Sequence, residues 1–172
     1  MQVEIWSDVV CPWCYLGKRN FEQALRQFGH RDAVDVEQRA AEAGLTFRMK
    51  DLRSGSTRDA HRLLQLARER GLQAELIQRL YRAYFSEQDS VFDQAALSRL
   101  ATEAGLDPSE VASVLGSDRF GAEVTADERT AHALGATGVP FFVIDRRYGI
   151  SVAQPAEVIG RALGQAWSDH DG

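Results

Sequence analysis

Val3 and Ile5 alternate with polar Gln2 and Glu4, and Trp6 follows. This period of two predicts a short strand, entered almost at the first residue. After Ser7-Asp8-Val9-Val10 the period changes. Leu16, Phe21, Ala24, Leu25 and Phe28 recur near every 3.6 residues, and Gly29 stops the run. The pattern predicts a helix whose first turn carries Cys11-Pro12-Trp13-Cys14. Pro12 suits that turn, because its missing N–H would have no intrahelical partner there. Val34 to Glu37 reads as a second strand. Gln38-Arg39-Ala40-Ala41-Glu42-Ala43 reads as helix with Gly44 as its cap, and no turn residue separates the two.

From about Thr57 to Leu134 the pattern is almost all helical. Thr57 caps a helix carrying Ala60, Leu63, Leu64 and Ala67, ended by Gly71. Leu76, Ile77, Leu80, Tyr81, Tyr84 and Phe85 form the next apolar face. Asp93 caps a helix ended by Gly105, and Asp107-Pro108-Ser109-Glu110 opens another over Val111 to Leu115. Phe120, Val124 and Leu134 belong to a further helix ended by Gly135. Then Gly138 to Asp145 reads as a buried strand led by Pro140, since proline is tolerated where a strand begins. Asp145-Arg146-Arg147 is a turn, and Tyr148 to Val152 a partner strand completing a hairpin. Pro155 opens a last helix with Val158, Ile159, Leu163 and Trp167. The order is strand, helix, strand, helical block, hairpin, helix, without internal repeats.

The chain has 172 residues, 44% hydrophobic and 26% charged, which fits one domain or one domain with an insertion. Its net charge of −5 and scattered Lys and Arg make nucleic acid a poor partner. No apolar run approaches the ~20 residues of a membrane span. Met1 to Trp6 holds neither a basic n-region nor an apolar h-region, so a cytoplasmic location and no membrane partner are expected.

Cys11 and Cys14 are the two cysteines of the chain. A C-x-x-C pair in a reducing compartment points to chemistry rather than to a stapled scaffold. At a helix start, partial positive charge and free N–H groups favour a thiolate. A free thiol titrates near ~8.5, whereas such pairs span roughly 3.5 to 7. Cys11 is expected to be the exposed nucleophile and Cys14, deeper in the turn, the resolving thiol. Zinc is the competing reading, but it wants four ligands; there is no second C-x-x-C, and His30, His61, His132 and His170 are single and widely spaced. No metal and no cofactor are expected. An inert buried pair is the third reading, and Pro-Trp between the cysteines gives it little packing purpose.

The segment Trp6-Ser7-Asp8-Val9-Val10-Cys11-Pro12-Trp13-Cys14-Tyr15-Leu16-Gly17 resembles the active site of the DsbA-like thioredoxin-fold oxidoreductases, in particular their cytoplasmic FrnE-type branch. The likeness continues in Asp59-Ala60-His61-Arg62-Leu63, Tyr81-Arg82-Ala83-Tyr84-Phe85, Gly138 to Ile144 and Tyr148 to Pro155, and so covers nearly the whole chain. It implies an α/β thioredoxin fold with an all-helical insertion: residues 1–50 and 136–172 form the thioredoxin part and 51–135 the insertion. It also implies that Val139–Pro140 is cis and faces Cys11, with Pro140 part of the catalytic site. The Val139 backbone would then pair with an extended substrate. Members of this branch carry a longer stretch after the second strand, so a segment is expected to be missing near Glu37–Gln38.

Other residues are weighed individually. Asp8, three residues before Cys11, is a proton relay for Cys14 or a loop residue bonding nearby N–H groups. Pro12 and Trp13 line the substrate side, with Trp13 exposed on the rim. His61 reads as a structural histidine. Tyr81, Tyr84 and Phe85 read as core between insertion and sheet. Asn20 and Arg19 read as surface.

The function expected is thiol–disulfide exchange with a peptide, or with a small thiol such as glutathione, as substrate. The alternatives are the related glutathione transferases of kappa type and hydroxychromene carboxylate isomerases, or a metal-bridged interaction module. The former usually replace the second cysteine, so Cys14 argues against them.

Overall fold

The computed structural model describes residues 1–40 and 54–169. Four strands form one sheet: β1 (Gln2–Ser7), β2 (Asp35–Ala40), β3 (Phe141–Ile144) and β4 (Tyr148–Ser151), in the order β2-β1-β3-β4. β1 runs parallel to β2 and antiparallel to β3, and β3 pairs antiparallel with β4. The parallel pair needs a crossover, supplied by helix α1 (Pro12–Gln27) and a short 3-10 turn at Arg31–Ala33.

Alternation along the strands divides the core. Val3, Ile5, Phe142 and Ile144 face one side, where α1 contributes Phe21 and Ala24 and α7 (Ala156–Ser168) contributes Ile159 and Leu163. Trp6, Phe141 and Val143 face the other side and join the core of the helical block. That block is α2 (Arg58–Glu69), α3 (Gln73–Ser86), α4 (Gln94–Glu103), α5 (Pro108–Leu115) and α6 (Gly121–Ala133), all lying between β2 and β3 in the chain. The sheet is therefore covered on both faces. Trp6 and Tyr81 are fully buried, and burial of such a side chain contributes about 2–3 kcal/mol. Among the described residues no helix is long and apolar enough to cross a membrane.

The helix signals hold at several ends. Asp107 accepts hydrogen bonds from the Ser109 and Glu110 amides, and Gly135 takes a left-handed φ of +86° just beyond α6. Thr57 stands at the start of α2 without a side-chain cap bond; the Ser56 hydroxyl accepts from the Arg58 amide instead.

One expectation is corrected. Gln38, Arg39 and Ala40 are strand, not helix, because the backbone continues its parallel pairing with Ile5, Trp6 and Ser7. The Gln73 side chain of α3 supports the outer edge of β2, accepting from the Gln38 amide at 3.1 Å and donating to its carbonyl at 2.9 Å. β2 runs unbroken through Glu37 and Gln38. Residues 41–44, the rest of the expected helix and its glycine cap, lie outside the described residues. Glu4, a polar position of the β1 alternation, is 1% exposed. Its carboxylate accepts two hydrogen bonds from Arg146 at 3.0 and 2.9 Å, which offsets the desolvation of a buried charge.

Candidate active site

The chain leaves β1 at Ser7 and turns through Asp8, Val9 and Val10 into α1. The Cys11 amide donates to the Asp8 carbonyl at 3.2 Å and closes this turn. Cys11 has extended backbone angles and is the N-cap of α1, a role usually filled by serine or aspartate. Its sulfur accepts from the Cys14 amide at 3.4 Å. Pro12 occupies the first helical turn, where no partner for an N–H is needed. Cys14, one turn along, lies 3.2 Å from Cys11. Its sulfur accepts from the Asp8 amide at 3.4 Å. Both cysteines are free thiols here.

These contacts make the two sulfurs chemically unequal. The Cys11 thiol is held below the ordinary value of 9.0, first by the hydrogen bond from Cys14 and then by the Cys14 and Trp13 amides, against the effect of burial and the Asp8 charge. Cys14 is pushed well above 9.0 by burial, by its hydrogen bond to Cys11, and by the charges of Cys11 and Asp8. The helix mouth thus holds one anion, and the neighbouring thiol stays protonated.

The Val139–Pro140 bond is cis, and the Val139 carbonyl lies 3.9 Å from the Cys11 sulfur. Pro140 is buried between α1 and the end of β4, where its carbonyl accepts from the Val152 amide at 3.0 Å. The close approach requires glycine at position 17: a Cβ there would stand 2.9 Å from Pro140 Cγ and 3.3 Å from Phe142 Cζ. Gly17 escaped the sequence reading. A glycine inside a helix lowers helix propensity by about 1 kcal/mol relative to alanine, and that disadvantage is the signal for a packing reason.

The exposure expected of Cys11 is not found. Its side chain is 2% exposed, because the sulfur turns toward the Cys14 amide beneath the Val139 carbonyl and joins the core that holds Trp6 and Val9. Trp13 is 52% exposed and Pro12 is half-buried, so the apolar rim lies on the Pro-Trp side. Asn20 is not simply surface; its side chain donates to the Gln154 carbonyl at 2.9 Å and ties α1 to the loop after β4.

Behind Cys14 the site is closed by polar groups in an apolar wall. Asp8 and His61 are each 2% exposed, and Asp8 Oδ1 lies 3.5 Å from His61 Nε2. Tyr81 is fully buried, with its hydroxyl against Ser7 and its titration pushed well above 10.0 by burial and then by the Cys14 charge. Its ring stacks on Tyr15 of α1 at 5.0 Å, and Tyr15 also stacks on Phe85 at 5.7 Å. The aromatic face of α3 therefore packs on the helix that carries the cysteines, as well as on the insertion core.

The family model for the DSBA-like thioredoxin domain matches residues 2–164. A solved structure from Streptomyces coelicolor, described as a "probable DsbA oxidoreductase", is 44% identical; the match covers 98% of this chain and 90% of that one, with a TM-score of 0.90. The cytosolic disulfide reductase DsbM of Pseudomonas aeruginosa, solved with GSH, shares the fold at 18% identity and a TM-score of 0.68, over 99% of this chain and 98% of that one. The uncharacterized protein YwbO of Bacillus subtilis is 23% identical over 84% of this chain and 86% of its own length. The chain belongs to the DSBA-like thioredoxin domain family.

Proposed function

We propose that this chain is a thiol–disulfide oxidoreductase working through Cys11-Pro12-Trp13-Cys14. The observation that carries the reading is the unequal pair: two thiols 3.2 Å apart, one lowered and one raised in pKa. In the reduced form the Cys11 thiolate attacks a substrate disulfide and displaces one substrate thiolate. Cys14 then attacks Cys11, forms the internal disulfide and releases the second substrate sulfur. The reverse sequence oxidises a substrate dithiol, and atoms and electrons balance in both directions. Asp8 moves the Cys14 proton. Pro140 and Val139 hold the substrate strand against Cys11, with Pro12 and Trp13 at its side. The substrate is an extended peptide or a small thiol such as glutathione; the exposed Trp13 ring supports an apolar contact beside the reacting sulfur.

The reading extends to a cytoplasmic location in the FrnE-type branch, supported by the pairing of C-P-W-C with G-V-P-F-F and by a cytosolic reductase of the same fold. It also includes a segment missing near Glu37–Gln38, a reading consistent with a match that covers 98% of this chain but 90% of the Streptomyces chain.

Alkylation of the reduced protein across pH tests the assignment. Cys11 is expected to react with iodoacetamide with a midpoint below 9.0, and Cys14 to stay unreactive until well above it. Equal, slow rates at both sulfurs would remove the activated nucleophile.

A further inference from the structure

The resolving step needs a base, because Cys14 is protonated and enclosed. The groups acting on that thiol come from three segments: Asp8 from the loop after β1, Cys11 at the mouth of α1, and Tyr81 from α3, with Tyr84 of α3 also within reach of the Asp8 charge. Asp8 touches Cys14 directly, through its amide on the sulfur. His61 of α2 faces Asp8. It meets the Asp8 carboxylate at 3.5 Å, and both side chains are shut away from water. A carboxylate so placed has a high desolvation penalty unless a positive or proton-bearing partner faces it, and an imidazole can be either.

We propose that His61 is a positioning residue for the resolving half-reaction: it holds the Asp8 carboxylate and shares the proton that leaves Cys14. The inference rests on Cys14 being the resolving thiol. With substrate attached to Cys11, the Cys14 S–H bond breaks and its proton passes to the Asp8–His61 pair. The Cys14–Cys11 bond forms as the bond between Cys11 and substrate breaks. The electron pair leaves on the substrate sulfur, which takes a proton from water. In the oxidising direction the pair returns the proton to Cys14. The helical insertion, through α2, thus takes part in the redox cycle.

Ellman's reagent separates the two steps, because Cys11 releases the first coloured thiolate and Cys14 the second. In His61→Gln the first phase should stay within about twofold, while the second slows by at least about tenfold and needs a higher pH to recover. Asp8→Asn should slow the second phase as well, and the double variant should be no slower than Asp8→Asn alone. Multiplying effects, an unchanged second phase, or equal slowing of both phases would overturn the proposal. If His61→Gln does not fold, His61→Asn and Asp8→Asn decide by the same two phases: a second phase as fast as the parent's in either one overturns it. A parent with no second phase would instead sink the assignment of Cys14 itself.

Discussion

Replacing Cys11 with serine is expected to abolish insulin reduction in the presence of dithiothreitol, a loss of at least about a thousandfold in turnover. The reason is local. At the α1 mouth the hydrogen bond from Cys14 and the Cys14 and Trp13 amides stabilise an anion, and a serine hydroxyl stays protonated there at any working pH. Cys14→Ala should behave differently. Cys11 can still attack, so one equivalent of substrate thiolate is released and the chain stalls as a mixed disulfide. The attack itself should need a higher pH than in the parent, because the largest cause lowering the Cys11 pKa is the Cys14 hydrogen bond. Mass spectrometry of the stalled species and the pH profile of its formation check both statements. Full turnover in either variant would contradict them.

Trp6→Ala should lower stability by about 3–5 kcal/mol, the range for removing a large core aromatic. For a chain of this size that is a fall in Tm of roughly 6–20 °C. Trp6 has no exposed surface, stands 6.1 Å from the Phe141 ring, and donates its indole N–H to the Asp127 carbonyl of α6 at 3.1 Å. It joins the sheet to the helical insertion two residues before Asp8. Trp6→Phe keeps most of the ring but leaves that carbonyl bond unmade, and should cost about 1–3 kcal/mol. Denaturant unfolding of the three proteins measures the series. A change within about 0.5 kcal/mol for alanine would mean that the insertion does not dock through this side chain.

Much of the architecture was legible because periodicity is local. The strand at Val3–Ile5, the helix after Cys11 and the hairpin around Asp145-Arg146-Arg147 each follow from spacing and turn residues. Gln38 to Ala40 did not, since those residues favour helix and only pairing with a strand over thirty residues earlier holds them extended. The burial of Glu4 was not legible either, because its partner Arg146 comes from the far end of the chain. At the site, the C-x-x-C pair was plain in the sequence, and the resemblance supplied the cis bond before Pro140. The burial of Cys11 was not readable, because it depends on where residue 139 folds back. Nor was the meeting of His61 with Asp8, which are over fifty residues apart and come together only when α2 of the helical block reaches the loop after β1.

The most direct test mixes the fully reduced chain with excess oxidised glutathione, quenches in acid, and determines by mass spectrometry what each sulfur carries. The expected product is an internal bond between Cys11 and Cys14, with two reduced glutathione molecules released per chain. Glutathione left on both sulfurs, or two untouched thiols, would contradict a coupled pair at the helix mouth.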